Sequence, residues 1–431
     1  MKNNSELINE LNKRQELENR EIYNKKELCE EYVIIPRAED KEYYPMLSAQ
    51  NRIFQKYEVL DECTGYNMLV SIKIKGEVNV DDVRKAIQKL IERHEILRTA
   101  FLTVNGESVQ KIIDYVDADF EYIHDLETDE IDLLSSCIKP FNLEEPPLVR
   151  VCLIDRGEYH ILNIDMHRII GDSTSMMKFI EEFYYLYNGC ELKKLTHQFK
   201  DYSEWMRTRD LSFQEVYWKK EFNDEIPVLD IPLDYVRPRK QCYSDSKVCL
   251  RTGKKLGGMI RKISMDNDAT EFMVFCSALM VLLSKYSRQE DIVVGTHVNC
   301  NAYRDTEDVI GLFTDKVALK GKTTGNMTYN KFLENVKETC LKAFKNQEYP
   351  FDELVELVDG KRDASRHPIF DVMINLCNND SKNADLKGME IEWMVEKDEN
   401  VGLDLSFDIV IYDDEFEFQL RYCTELFKKE N

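Results

Sequence analysis

Glycine and proline are scarce, 16 and 10 among 431 residues. That excludes collagen-like repeats and a chain made mostly of linkers. Basic charge is in short supply too: Lys and Arg number 58 against 81 Asp and Glu, a formal charge of −23. No basic run offsets it, so nucleic acid is not an expected partner. Long apolar runs are missing. The longest, Phe272 to Leu283 with Ser277 inside it, falls short of the roughly 20 residues that span a bilayer. No membrane partner is expected, and the run reads as a helix buried on all sides. The 12 cysteines are scattered, with no CxxC pair and no Cys/His spacing suited to zinc. No metal is therefore expected. The start, MKNNSELINELNKRQELENRE, lacks the apolar stretch of a signal peptide. Reduced thiols in a cytoplasmic protein are the expectation.

What is present points to a packed protein. Hydrophobic residues make up 43% of the chain, and 22 Tyr and 20 Phe exclude general disorder. The length calls for two domains or lobes. Residues 1–42 stand apart as an extension rich in Glu, Lys and Asn, with weak helical spacing through Leu7, Leu11 and Leu17. Lobes are expected over 43–215 and 216–431. Met68 to Lys75 alternates like a strand. Asn79 or Asp81 can cap a helix whose stripe is Val83, Ala86, Ile87, Leu90 and Ile91. Asn105-Gly106 signals a hairpin. A strand pair, Leu148 to Asp155 and His160 to Met166, turns at Arg156-Gly157. A helix follows from Ser173 to Asn188. Arg237-Pro238-Arg239 reads as a connection. The second half repeats the style, with helices over 271–285 and 329–344 and strands at 292–298, 370–376, 405–411 and 416–422. Strands and helices mix in both halves, so the fold class is α/β, a sandwich in duplicate.

One segment concentrates polar chemistry: Asp165-Met166-His167-Arg168-Ile169-Ile170-Gly171-Asp172-Ser173-Thr174-Ser175. It leaves a strand, turns and enters a helix, where backbone amides and the helix dipole favour an anion or a polarised carbonyl. A structural reading also accounts for it. Asp172 or Ser173 caps the helix, His167 bonds at the strand end, and Arg168 pairs with Asp172 four residues on.

The segment resembles the His-His-x-x-x-Asp-Gly signature of the condensation domains of nonribosomal peptide synthetases. Other stretches match that family in order. Ser48-Ala49-Gln50-Asn51-Arg52, within Tyr44 to Arg52, is similar to its Ser-x-Ala-Gln-x-Arg opening. Arg93-His94-Glu95-Ile96-Leu97-Arg98-Thr99-Ala100-Phe101 closely matches Arg-His-Glu-x-Leu-Arg-Thr-x-Phe. Asp201 to Trp205, Gln289 to Thr296, Ile310 to Phe313 and Arg362 to Phe370 fit later motifs. The resemblance covers roughly residues 43–422. It implies two chloramphenicol-acetyltransferase-like lobes in a V-shaped pseudo-dimer, with a tunnel between them. Phosphopantetheine arms of partner carrier proteins would enter from both ends, one bearing a donor acyl thioester and one an acceptor amine. No tightly bound cofactor is implied. The second His of the signature orients the amine or accepts its proton, and the Asp is mainly structural.

This chain departs from the pattern at the site. His167 holds the first His position and Arg168 the second, and a guanidinium cannot accept a proton. Ser173 replaces the Gly. Asn301 falls where the family carries an Arg that pairs with the signature Asp. Asp315 replaces the Asn of Phe-Val-Asn-Thr, here Phe313-Thr314-Asp315-Lys316. These coupled changes predict an Arg168–Asp172 ion pair that closes or fills the tunnel centre. His297 lies at a strand end near the expected tunnel, while His94 and His367 read as structural. His-Arg-x-x-x-Asp also resembles the recruitment-type members of the family, the X domains, which hold a carrier and dock a tailoring enzyme. Three functions remain open. One is a condensation-fold protein that binds carriers, a tailoring enzyme or an adjacent synthetase module, with weak or no amide synthesis. Another is an active condensation domain or acyltransferase using His167, Asp172 and positioning. The third is an acyltransferase for small amines or CoA thioesters.

Overall fold

In the computed structural model, the residues described are 33–57, 64–241, 244–301, 303–358, 363–378, 390–397 and 402–429. The helical spacing through Leu7, Leu11 and Leu17, and Arg362 of the last motif, lie outside them.

The expected α/β mixture is present in both halves. In the first, the strand Asn67–Lys75 pairs antiparallel with Tyr159–His167, which pairs with Val149–Asp155. Asp119–His124 adds a parallel edge strand. The three central strands are buried along most of their length because helices cover them. One of those helices is Val80–Arg93. Asn79 caps it by accepting from the amides of Asp81 and Asp82 at 3.0 and 3.1 Å. Its stripe from Val83 to Ile91 is fully buried, as the spacing predicts. Asn105 and Gly106 take φ of 54° and 85°, the paired left-handed values of a tight hairpin.

The second half builds a six-stranded sheet. Its order is Thr314–Lys322, Asp291–Asn299, Val372–Asn378, Leu405–Ile411, Phe416–Cys423 and Asp245–Arg251. The helices Glu271–Ser287 and Tyr329–Lys345 pack on it. Here one expectation fails. The helix Glu271–Ser287 is not buried all round: Ala278, Leu282 and Lys285 form an exposed strip, with Leu282 47% exposed. It lies against a sheet on one side only, and an apolar run does not reveal which of its faces a sheet covers. The stretch at Arg237-Pro238-Arg239 is a connection without regular structure, as expected. It is anchored, because the Arg237 guanidinium forks onto both carboxylate oxygens of Asp404.

Two long-range features tie the halves together. The backbone of Glu390–Lys397 pairs with Asn67–Lys75 and extends the first sheet. Val309, Ile310, Leu312 and Phe313 leave the second half and bury themselves in the first core. Gly311, in the middle of that segment, packs against the Phe199 ring so closely that a Cβ would sit 2.0 Å from Cδ2. Gly311→Ala is therefore expected to destabilise the protein by about 1–3 kcal/mol through overpacking. Urea unfolding measures this, and wild-type stability in the variant would contradict the close approach.

Candidate functional site

The strand Tyr159–His167 delivers the signature segment to the seam between the halves. His167 ends the strand, with its amide bonded to the Leu148 carbonyl at 2.9 Å. A short 3-10 turn, Arg168–Ile170, follows. Asp172 then caps the helix Ser173–Tyr187 by accepting from the Ser175 amide at 2.9 Å. Gln50 of the opening motif is wholly buried and fixes the turn, donating to the Ile169 carbonyl at 3.0 Å.

His167 is a packed residue. It has no exposure, and the rings of Tyr57, Tyr66 and Phe141 lie 5.9–6.1 Å from it. Its Nδ1 accepts the Ile169 amide, which leaves the proton on Nε2. Burial pushes its pKa down to about 3.

The expected Arg168–Asp172 ion pair is not formed. Asp172 is 1% exposed, and its carboxylate accepts three neutral donors: the Ser175 amide, the Phe313 amide at 3.1 Å and the Thr314 hydroxyl at 2.9 Å. No cation among the described residues bonds it. Two of the donors come from the segment that enters from the second half, so Asp172 joins the halves. Ser175 reinforces the join: its Oγ donates to the Gly311 carbonyl at 2.7 Å and accepts the Gly311 amide at 3.1 Å. Pairing by sequence spacing fails because the turn directs the two side chains to different surroundings.

Arg168 instead lines a narrow cavity between the halves, with Arg52, Lys56, Lys316, His297 and Thr314 among its walls. The cavity has room for little more than a water-sized group. Arg168 is 6% exposed, and its Nη1 approaches the Met68 sulfur at 3.6 Å. His297 is half-buried, as a cavity wall is, and its amide donates to Asn375 Oδ1 at 3.0 Å. Burial, then the charges of Arg168, Lys316 and Arg52, hold its pKa well below the usual imidazole range.

The remaining expected residues separate. Asp315 joins Arg52 at 3.5 Å and accepts the Phe351 amide at 3.1 Å. Burial raises its pKa. Arg52 also reaches Asp352 at 3.0 Å, a second bridge across the seam. Asn301 closes its own turn, donating to the Thr306 carbonyl at 3.0 Å and accepting the Thr306 hydroxyl. Ser173 is exposed on the first helical turn and is not among the cavity walls. His94 is structural, bonded through Nε2 to the buried Glu182 at 2.7 Å. His367 receives Lys316 Nζ at 3.4 Å.

Sequence reasoning missed Lys56 and Lys316 as site residues. Lys56 sits one helical turn after Arg52 on Ser48–Tyr57, a spacing that puts both on one face. Lys316 follows Asp315, which drew attention first. Among the described residues no group of acidic, His and Cys side chains could hold a metal, and no single helix is long and apolar enough to cross a membrane.

Two α/β halves joined across a polar seam, with the signature turn at its centre, are the architecture of a chloramphenicol-acetyltransferase-like pseudo-dimer. The chain belongs to the condensation domain family of nonribosomal peptide synthetases, matching the Condensation domain profile over residues 40–431. Among curated relatives, it is 40% identical over 403 residues to bacitracin synthase 3 of Bacillus licheniformis, covering 92% of this chain and 6% of that synthase. It thus spans a small fraction of that relative's length. Among solved structures, it superposes with TM-score 0.84 at 24% identity on the X-domain in its complex with OxyB from teicoplanin biosynthesis, covering 93% of each chain. The condensation domain of monacolin K polyketide synthase superposes with TM-score 0.80 at 18% identity, covering 90% of this chain and 94% of that one.

Four histidines, His94, His167, His297 and His367, have pKa values lowered chiefly by burial. The unfolded chain binds protons near pH 6.5 that the folded one refuses. Their stabilising effect is complete above pH 6.5 and is lost as pH falls through that value toward the folded pKa values, at up to about 1.4 kcal/mol per pH unit for each. The urea midpoint should drop steeply between pH 7.5 and 5. A flat midpoint would contradict buried neutral imidazoles.

Proposed function

We propose that this chain binds carrier-tethered substrates or recruits a partner in peptide assembly, and makes amide bonds weakly or not at all. Arg168 carries the reading. It stands at the second His position of the signature and lines the cavity at the seam, and a guanidinium stays protonated at any working pH. His297, the imidazole in that cavity, is a poor substitute, because its pKa is held far down by burial and by the cations beside it. The phosphopantetheine arm of a carrier protein is the group the seam would receive.

A second reading has its own support. Forty per cent identity to bacitracin synthase 3 extends over 92% of the chain. Alignment of two tethered reactants supplies rate without any base. In this reading the chain is an active condensation or acyl-transfer domain.

Carriers loaded with a donor acyl thioester and an acceptor aminoacyl thioester separate the two readings. The binding reading expects Arg168→His to form product at least roughly 10-fold faster than wild type, since a positioned base typically contributes about 100-fold or more. Equal turnover by both proteins, abolished in His167→Ala, would overturn it in favour of the active reading.

A further inference from the structure

The strand Val149–Asp155 presents two faces. Val151 and Leu153 enter the main core of the first half, while Cys152 and Ile154 point to the other side of the sheet. There the short helix Glu130–Ser136 covers them with Leu133 and Leu134, and Cys137 ends that helix. The two cysteines meet inside this small apolar cluster. Their sulfurs are 3.3 Å apart, and both residues are buried. A hydrogen bond from the Cys152 thiol outweighs burial and brings the Cys137 pKa down to about 7. Cys152, which keeps the shared proton, is pushed up. One sulfur thus reaches its nucleophilic form near neutrality, with a second thiol in contact to resolve it. The helix has only seven residues, so a local opening of this element, short of unfolding the lobe, admits a small oxidant.

The stretch bracketed by the two cysteines supports the signature strand. Its Leu148 carbonyl accepts the His167 amide at 2.9 Å, and its Phe141 ring lies 6.0 Å from the His167 ring. The Phe141 carbonyl accepts the Tyr57 hydroxyl, and the Lys139 carbonyl accepts Asn67 Nδ2 at 3.1 Å. We propose that Cys137 and Cys152 form a redox modification site, a dithiol that a peroxide closes into a disulfide and a thiol reductant reopens. The Cys137 thiolate attacks one peroxide oxygen; the O–O bond breaks, leaving Cys137 as a sulfenic acid and releasing hydroxide. The Cys152 sulfur then attacks the Cys137 sulfur. The S–S bond forms, the S–O bond breaks, and the departing oxygen leaves as water with the Cys152 proton. Two thiols lose two electrons and the peroxide gains them. The disulfide closes a loop between positions 15 apart, and so restrains the segment that holds the end of the signature strand.

The test treats the unmodified protein with hydrogen peroxide at neutral pH, quenches with catalase, and unfolds it in urea with N-ethylmaleimide to block the remaining thiols. Trypsin and mass spectrometry follow. Arg150 lies between the two cysteines, so cleavage there leaves them on separate peptides unless a disulfide joins them. The expected product is that joined pair, two hydrogens lighter than its parts, lost on adding dithiothreitol and absent in Cys152→Ser. Both cysteines blocked by N-ethylmaleimide, Cys137 recovered as a sulfinic acid, or Cys137 joined to a different cysteine would each overturn the site. Hydrogen exchange then compares the oxidised and reduced forms of the unmodified protein. The His167 amide should exchange at least about tenfold more slowly in the oxidised form, as a closed loop of this length allows. Equal exchange in the two forms would overturn the restraint on the signature strand. Both readings come from the unmodified protein and hold even if Cys152→Ser folds poorly.

Discussion

The carboxylate of Asp172 is the contact on which the seam depends. It is buried, and it accepts from the first turn of its own helix and from the backbone and hydroxyl at Phe313 and Thr314. A carboxylate with three donors cannot lose one without leaving a costly orphan on the other side. The two halves therefore meet at a fixed place, with Ser175 and Gly311 locking the same segment. The Arg52 bridge to Asp315 and Asp352 fastens a second point across the seam.

This arrangement separates two residues that lie close in sequence. Asp172 serves the junction, while Arg168 serves the cavity. Asp172 is satisfied by neutral donors, while Arg168 lines the cavity together with Arg52, Lys56 and Lys316. Burial first, and then the charges of Arg168, Lys316 and Arg52, weaken His297 as a base. Arg168 thus belongs to the wall of the cavity, and the contacts that hold the scaffold around it are made by other residues. His167 shows the scaffold side of the same signature, packed among three rings and held neutral.

Much of the fold was legible because its elements obey local rules. The stripe from Val83 to Ile91, the Asn79 cap and the Asn105-Gly106 turn need only periodicity and turn chemistry. Asp172 as a helix cap was equally local. The failures were non-local. Spacing of four residues suggested that Arg168 pairs with Asp172, yet a 3-10 turn begins at Arg168 and two of the three donors to Asp172 sit about 140 positions away. The role of Gln50 at the Ile169 carbonyl and the burial of Arg237 against Asp404 likewise require contacts between distant segments. Lys56 and Lys316 gain meaning only when two halves place them around one space.

The most direct test of this separation is a pair of double-mutant cycles read by urea unfolding. One combines Asp172→Asn with Thr314→Val, and the other combines Asp172→Asn with Arg168→Met. A junction role for Asp172 predicts coupling of about 0.5–3 kcal/mol in the first cycle and less than about 0.5 kcal/mol in the second. Strong coupling between Arg168 and Asp172, with additivity between Asp172 and Thr314, would contradict it.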